Sequence, residues 1–197
     1  MLHLNENILT AMDVETTGRE AGFNDVVQIA LLPLDETTLD PHPKFPPFYQ
    51  NICPTNPDRV EAEAMKVNGL DIEELMQCPS ADQVADMMID WKDGLGLFKG
   101  KRLIPLCQNS PFDIAFVKAW LGNDLYDTIF SRRGRDTMYL ASGINDAFAW
   151  KGQELPFHQV GLKSLCKKFG IDIDGHHDAL ADCIATAKLY RELLRYE

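Results

Sequence analysis

Asn7-Ile8-Leu9-Thr10-Ala11-Met12-Asp13-Val14, running on into Glu15-Thr16-Thr17-Gly18, reads as a strand with a stop at its end. Ile8, Thr10, Met12 and Val14 alternate with the other face, and residues two apart share one side of a strand. Asp13 and Glu15 therefore stand on one face, about 6.8 Å apart along the chain, with Val14 between them turned to the core. Two carboxylates at a strand end repel each other and lose solvation unless a cation lies between them. Taken alone, the segment also fits an ordinary solvated strand end.

Working outward, a β-rich run at residues 26–34 ends at Pro33 and Asp35, and a third strand signal at 48–52 follows the proline-rich 41–47. Three strands on short connections form most simply an antiparallel meander. Residues 60–67 look helical and stop at Asn68-Gly69. A short turn follows at 71–76, and Ser80 then caps a helix through Trp91 with Val84, Met87, Met88 and Trp91 at helical spacing. Residues 103–107 read as a buried strand and 110–121 as a helix. Another helix starts at Asp136 and passes Ala141, 142–160 reads as an irregular extension, and 161–169 and 178–194 are the last helices. Strands, helices, a strand and more helices give an α/β class: a mixed sheet with helices on both faces.

The 197 residues suit one domain spanning 1–197, and no run approaches a membrane span. The first residues lack a secretory signal, so a cytoplasmic protein without membrane association is expected. The five cysteines have no Cys-x-x-Cys spacing, which disfavours a zinc site or a disulfide framework. A net charge of −11, from 30 acidic and 19 basic residues, argues against a tight nucleic-acid coat. It leaves room for an enzyme that holds only a strand end through metal ions.

Two further segments carry acids. In Gln108-Asn109-Ser110-Pro111-Phe112-Asp113, Ser110 reads as N-cap, Pro111 as N1 and Asp113 as N3. Here a plain capping box explains Asp113 as well as chemistry does, and Asn109 and Phe112 fit a loop and a core contact. In Gly175-His176-His177-Asp178-Ala179-Leu180-Ala181-Asp182, Asp178 caps a helix with Asp182 one turn inside it on the same face. His177 precedes that helix, in a segment freed by Gly175, where a general base would be reachable. A surface histidine near a helix start is the plainer alternative.

Together, Asp13-x-Glu15, Asn109-x-x-Phe112-Asp113 and His177-x-x-x-x-Asp182 closely resemble the three motifs of the DnaQ-like DEDDh exonuclease family, which includes proofreading subunits, ribonuclease T and oligoribonuclease. Ala64-Met65-Lys66-Val67-Asn68-Gly69-Leu70, and Asp136-Thr137 ahead of Leu162-x-x-Leu165-Cys166, match as well. The tyrosine subtype would carry tyrosine at Asp178, and His176 breaks the family interval.

The resemblance implies a ribonuclease H-like fold with a five-stranded mixed sheet and a 3′→5′ exonuclease. Asp13, Glu15, Asp113 and Asp182 would hold two Mg²⁺ or Mn²⁺ ions, with Asp13 bridging, and His177 would be the general base. Thr16 and Thr17 would touch the terminal sugar, and Met65, Asn68, Asn109 and Phe112 would complete the substrate site. The expected partner is a single-stranded nucleic-acid 3′ end, with a polymerase or a second copy of the chain as further partners. Single-stranded DNA is expected as substrate, with RNA trimming as the alternative.

Outside the motifs, Ser131-Arg132-Arg133-Gly134-Arg135 is the densest basic stretch and reads equally as a phosphate contact or a solvated strand edge. Phe45, Phe48 and Tyr49 read as loop packing ahead of partner docking. Trp91, Trp120 and Trp150 read as core or rim aromatics. An aspartyl-phosphate phosphatase would need aspartate at Glu15, glycine at Thr16 and a late Asp-Asp pair, none of which is present. A silent binding relative would typically have lost a metal ligand, and all the expected acids are here.

Overall fold

The computed structural model describes residues 3–173 and 177–197. Strand β1 (Ile8–Thr16) pairs antiparallel with β2 (Val26–Pro33), which pairs antiparallel with β3 (Phe48–Asn51). On its other side β1 runs parallel to β4 (Leu103–Cys107), and β4 to the two-residue β5 (Arg135–Asp136). The resulting sheet is five-stranded and mixed, in the order β3-β2-β1-β4-β5. The helices are α1 (Ala62–Asn68), α2 (Ile72–Leu75), α3 (Ala81–Gly94), α4 (Ser110–Ile129), α5 (Thr137–Trp150), α6 (Leu162–Phe169) and α7 (Ala179–Leu194). This is the α/β architecture, with the meander, that the hydrophobic pattern predicts.

Alternation along β1 sorts the two cores. Met12 and Val14 join Val84, Met88, Phe116 and Val117 under α3 and α4. Leu9 and Ala11 join Ala30, Leu32, Ala179, Cys183 and Ala187 under α7. Small residues on both sides let α7 lie close to the sheet, so that the Cys183 thiol reaches the Ala30 carbonyl at 3.6 Å. The opposite side of α7, through Ala185, Leu189 and Leu193, packs on α5 and α6. A helix buried on two sides is fixed by several apolar side chains worth about 1.5–3 kcal/mol each, which makes it a rigid carrier for polar groups at its first turn.

Three stretches differ from the sequence expectations. Asn109, not Ser110, is the N-cap of α4, with φ of 72° and no side-chain cap bond. The capping falls instead to Asp136, which accepts from the Ser110 amide and, through its other oxygen, from the Tyr139 amide at 3.0 Å. Asp113 is thereby released from a capping box. Helix α4 also runs past Leu121 to Ile129, through a break at Gly122 with φ of 75°. Residues 142–150, expected to be irregular, continue α5, where Leu140 and Ile144 pack at helical spacing onto the cluster beneath.

Of the tryptophans, Trp91 and Trp120 donate to the Pro46 and Ala81 carbonyls, whereas Trp150 is 93% exposed, outside any core or rim. Phe45 stacks on His42 and packs on the α3/α4 core, the loop-packing role expected of it. The 131–135 stretch lies along the β4 edge, where Ser131 donates to the Leu103 carbonyl and Arg132 pairs with Asp127. Gly175 and His176, used above as the joint and the second histidine, lie outside the described residues.

Candidate active site

β1 outruns its parallel neighbour. Its pairing with β4 covers Ile8 to Ala11, so Asp13 and Glu15 stand beyond the ladder at the carboxyl end of the parallel pair. Both point to the α7 side, opposite Met12 and Val14. α7 starts at N-cap Asp178 and brings Asp182, buried, one turn in. Asp113, also buried, arrives from the first turn of α4. Ligand atoms of Glu15, His177 and Asp182 lie within 4.8 Å of one another.

The charges that weigh most on these acids are other acids. Burial pushes the Asp13 carboxyl well above the usual range, and Asp113, Glu15, Asp182 and Asp178 push it further. Burial, then Asp182, Asp113 and Asp178, raise Glu15 to about 8. Burial also raises Asp113, against the backbone amides of Asp113 and Val14, with Asp136 and Asp182 adding to the rise. Such a cluster suits hard divalent cations, which take oxygen ligands and supply the missing positive charge. Glu15 and Asp182, whose ligand atoms meet that of His177, and the buried Asp13 and Asp113 that act on them electrostatically could hold such ions.

Beside the acids lies a cleft of about 510 Å³ lined by Glu15, Thr16, Gly18, Asn68 and Phe112 among others, a volume that suits a ligand of nucleotide size. Buried Asn68 ties α1 to the strand end by donating to the Thr16 carbonyl at 3.3 Å. Phe112 packs on Phe116 with ring centroids 4.8 Å apart. A Cβ at Gly18 would come within 2.4 Å of the Glu61 carboxylate and 2.2 Å of the Asn24 amide, so a larger residue would have to displace Asn24 from its bonds to the Glu20 amide and the Arg59 carbonyl. Among the other expected substrate contacts, buried Thr17 has its hydroxyl accepting from the Asp25 amide at 2.9 Å. Met65 lines a neighbouring depression with Val60, Ala62 and Leu70. Asn109 is exposed, its φ of 72° turning the chain into α4.

The exonuclease family model of the ribonuclease T type matches residues 10–190. The chain belongs to this exonuclease family. It is 26% identical over 193 residues to a PolC-type DNA polymerase III of Bacillus subtilis, across 98% of this chain but only 12% of the polymerase. In fold it is similar to the nuclease domain of 3′hExo, a DEDDh family member solved with rAMP, at a TM-score of 0.70, 18% identity, and 96% and 92% of the two chains. It is likewise similar to E. coli Exonuclease I in complex with a dT13 oligonucleotide, at a TM-score of 0.68, 18% identity, and 94% and 40% coverage. The ribonuclease H-like fold and an exonuclease domain of this family follow.

Several residues of this exonuclease site were not singled out in the sequence. Arg19, Glu61 and Glu63 line the cleft, but the reading of the first motif stops at Gly18. Gln28, likewise unread, and Tyr49, read only as loop packing, reach the start of α7 from β2 and β3. The buried Gln28 side chain accepts from the Ala179 amide at 2.8 Å, and the Tyr49 hydroxyl donates to Asp178. Burial and the Asp178 carboxylate hold the Tyr49 phenol above its ordinary range, so it stays a donor. A glutamine inside an otherwise apolar strand was the available signal, since a buried amide demands partners.

Proposed function

We propose that this exonuclease removes nucleotides one at a time from the 3′ end of single-stranded DNA, releasing nucleoside 5′-monophosphates. The observation that carries the reading is the meeting of Glu15, His177 and Asp182 within 4.8 Å, beside Asp13 and Asp113. Mg²⁺ or Mn²⁺ bound by the carboxylates would supply an activated water and charge stabilisation for the leaving oxygen. Asp13, Glu15, Asp113 and Asp182 would hold that positive charge, and Asp13, Glu15 and Asp113 would in doing so give up the protons that their raised pKa values favour. His177 accepts the proton of the attacking water at a ring nitrogen. The cleft lined by Thr16, Asn68 and Phe112 seats the terminal nucleotide, with the Phe112 ring against a base.

The polymerase relative supports DNA as substrate and a polymerase as partner. The rAMP held by 3′hExo favours RNA as the second reading. Incubation of 5′-labelled single-stranded DNA and RNA with Mg²⁺, Mn²⁺ or EDTA tests these readings together. A DNA ladder that shortens from the 3′ end only with metal is expected. Internal fragments released from a circular strand would overturn exonucleolytic action, and faster loss of the RNA would reverse the substrate order.

A further inference from the structure

We propose that Gln28 and Tyr49 are positioning residues, clamping the first turn of α7 so that His177 keeps its place beside Glu15 and Asp182. The inference rests on His177 being the general base. His177 has a φ of 70°, in the left-handed region. For a non-glycine residue that conformation is strained and persists only where the surrounding structure holds it.

The flank on the helix side is held at every point. Asp178 Oδ1 accepts from the Leu180 and Ala181 amides at 3.1 and 3.0 Å. Gln28 Oε1 accepts from the Ala179 amide at 2.8 Å. Gln28 Nε2 donates to Asn51 Oδ1 at 2.8 Å and to the Tyr49 hydroxyl at 3.1 Å, and that hydroxyl donates to Asp178 Oδ2. The amide orientation of Gln28 follows from this network, because the Ala179 amide needs an acceptor where Oε1 stands.

A helix start capped only for stability would need Asp178 and water. Here the second oxygen of the cap is engaged by a tyrosine on β3, and the first free amide of the helix by a side chain that is 2% exposed on β2. Two strands of the sheet that carries Asp13 and Glu15 thus set the register of the residue next to His177. The acids and the base are referred to one rigid frame.

Tyr49 is 37% exposed, so Tyr49→Phe deletes one oxygen near the surface and leaves the fold intact. Steady-state cleavage of 5′-labelled single-stranded DNA with Mn²⁺ should show kcat lower by roughly 10–100-fold, the usual cost of losing an outer hydrogen-bond partner. KM and the Mn²⁺ concentration for half-maximal rate should not move. In a His177→Ala background the same change should have no further effect, since its target is gone. An equal loss in both backgrounds, or none in the parent, overturns the clamp while leaving the His177 assignment standing. No loss from His177→Ala alone overturns the assignment and the clamp with it. Gln28→Met, with its fold checked by a thermal melt, should reproduce the kcat loss at unchanged KM, and unchanged kcat in a folded Gln28→Met protein also overturns the clamp.

Discussion

Glu15 links the site to a measurement on the metal-free protein. Its pKa rises to about 8 from an ordinary value of 4.5, so the folded state binds this proton more tightly than the unfolded chain does. The stabilising contribution is therefore complete below about 4.5 and is lost as pH climbs through about 8. Thermal melts without metal should fall across that window, and Glu15→Gln should flatten the fall. An identical pH slope in the two proteins would remove Glu15 from the account. Adding Mn²⁺ near pH 8 should restore stability to the parent, because only the folded site gathers the carboxylates. Asp113→Asn should abolish cleavage while leaving metal-free stability equal or higher, now that capping belongs to Asp136. A clear loss of metal-free stability would return Asp113 to a structural role. His177→Ala should lower kcat by about 10²–10⁴-fold with little change in KM, the cost of a missing general base. A rate equal to the parent's in steady-state assays would take His177 out of the mechanism.

At the scale of elements, the starts of the helices do the placing. Asp136 ends β5 and caps α5, and at the same time accepts from the first amide of α4. Asp136→Ala should cost about 1–4 kcal/mol, at 0.5–2 kcal/mol for each cap. Asp136→Asn should recover most of it, read from urea midpoints at constant slope. A loss of only a few tenths would mean that water replaces the carboxylate. The same element shows where sequence reading stops. Period-two alternation in β1, the apolar β2 and the Ser80 cap of α3 were legible because each is set by residues close in the chain. The double role of Asp136 was not, since its partner Ser110 lies on the far side of a helix and joins it only once β5 adds to the sheet edge. Asp178 was legible as the cap of α7, but its meeting with Gln28 and Tyr49 is hidden in the same way: three segments, two from the meander and one from the last helix, with no shared spacing. The continuation of α5 through Trp150 escaped because its last turn, Ala147-Phe148-Ala149-Trp150, is apolar all round and shows no helical alternation, with Phe148 packed on Tyr196 and the Trp150 indole left in solvent. The Asp13-x-Glu15, Asn109-x-x-Phe112-Asp113 and His177-x-x-x-x-Asp182 sets stood out only together, because their order, residue types and intervals resemble the exonuclease motifs, whereas each alone fits a plainer reading. What they could not supply was the cleft beside them, built from Gly18, Glu61 and Asn68 across a loop and α1.

For the molecule as a whole, the balance of charge sets how substrate is held. A net charge of −11 opposes a long polyanion, and the densest basic stretch does little to offset it. Arg132 is paired with Asp127, and Arg135 is turned onto the Arg133 and Gly134 carbonyls at the sheet edge. With Arg132 and Arg135 so engaged, the proposed reading leaves recognition mainly to the metal-bound end and the adjoining cleft. Each phosphate neutralised on a single strand contributes roughly −0.7 to the slope of log affinity against log salt. Contact with no more than about three phosphates therefore predicts a slope no steeper than about −2. Measuring kcat/KM on single-stranded oligonucleotides over a range of monovalent salt at fixed Mn²⁺ gives that slope directly. Arg133→Ala should leave both the slope and kcat/KM nearly unchanged. A much steeper dependence, flattened by Arg133→Ala, would show that the basic edge grips the strand upstream of the cut after all. The cleft would then be only the last part of a longer track.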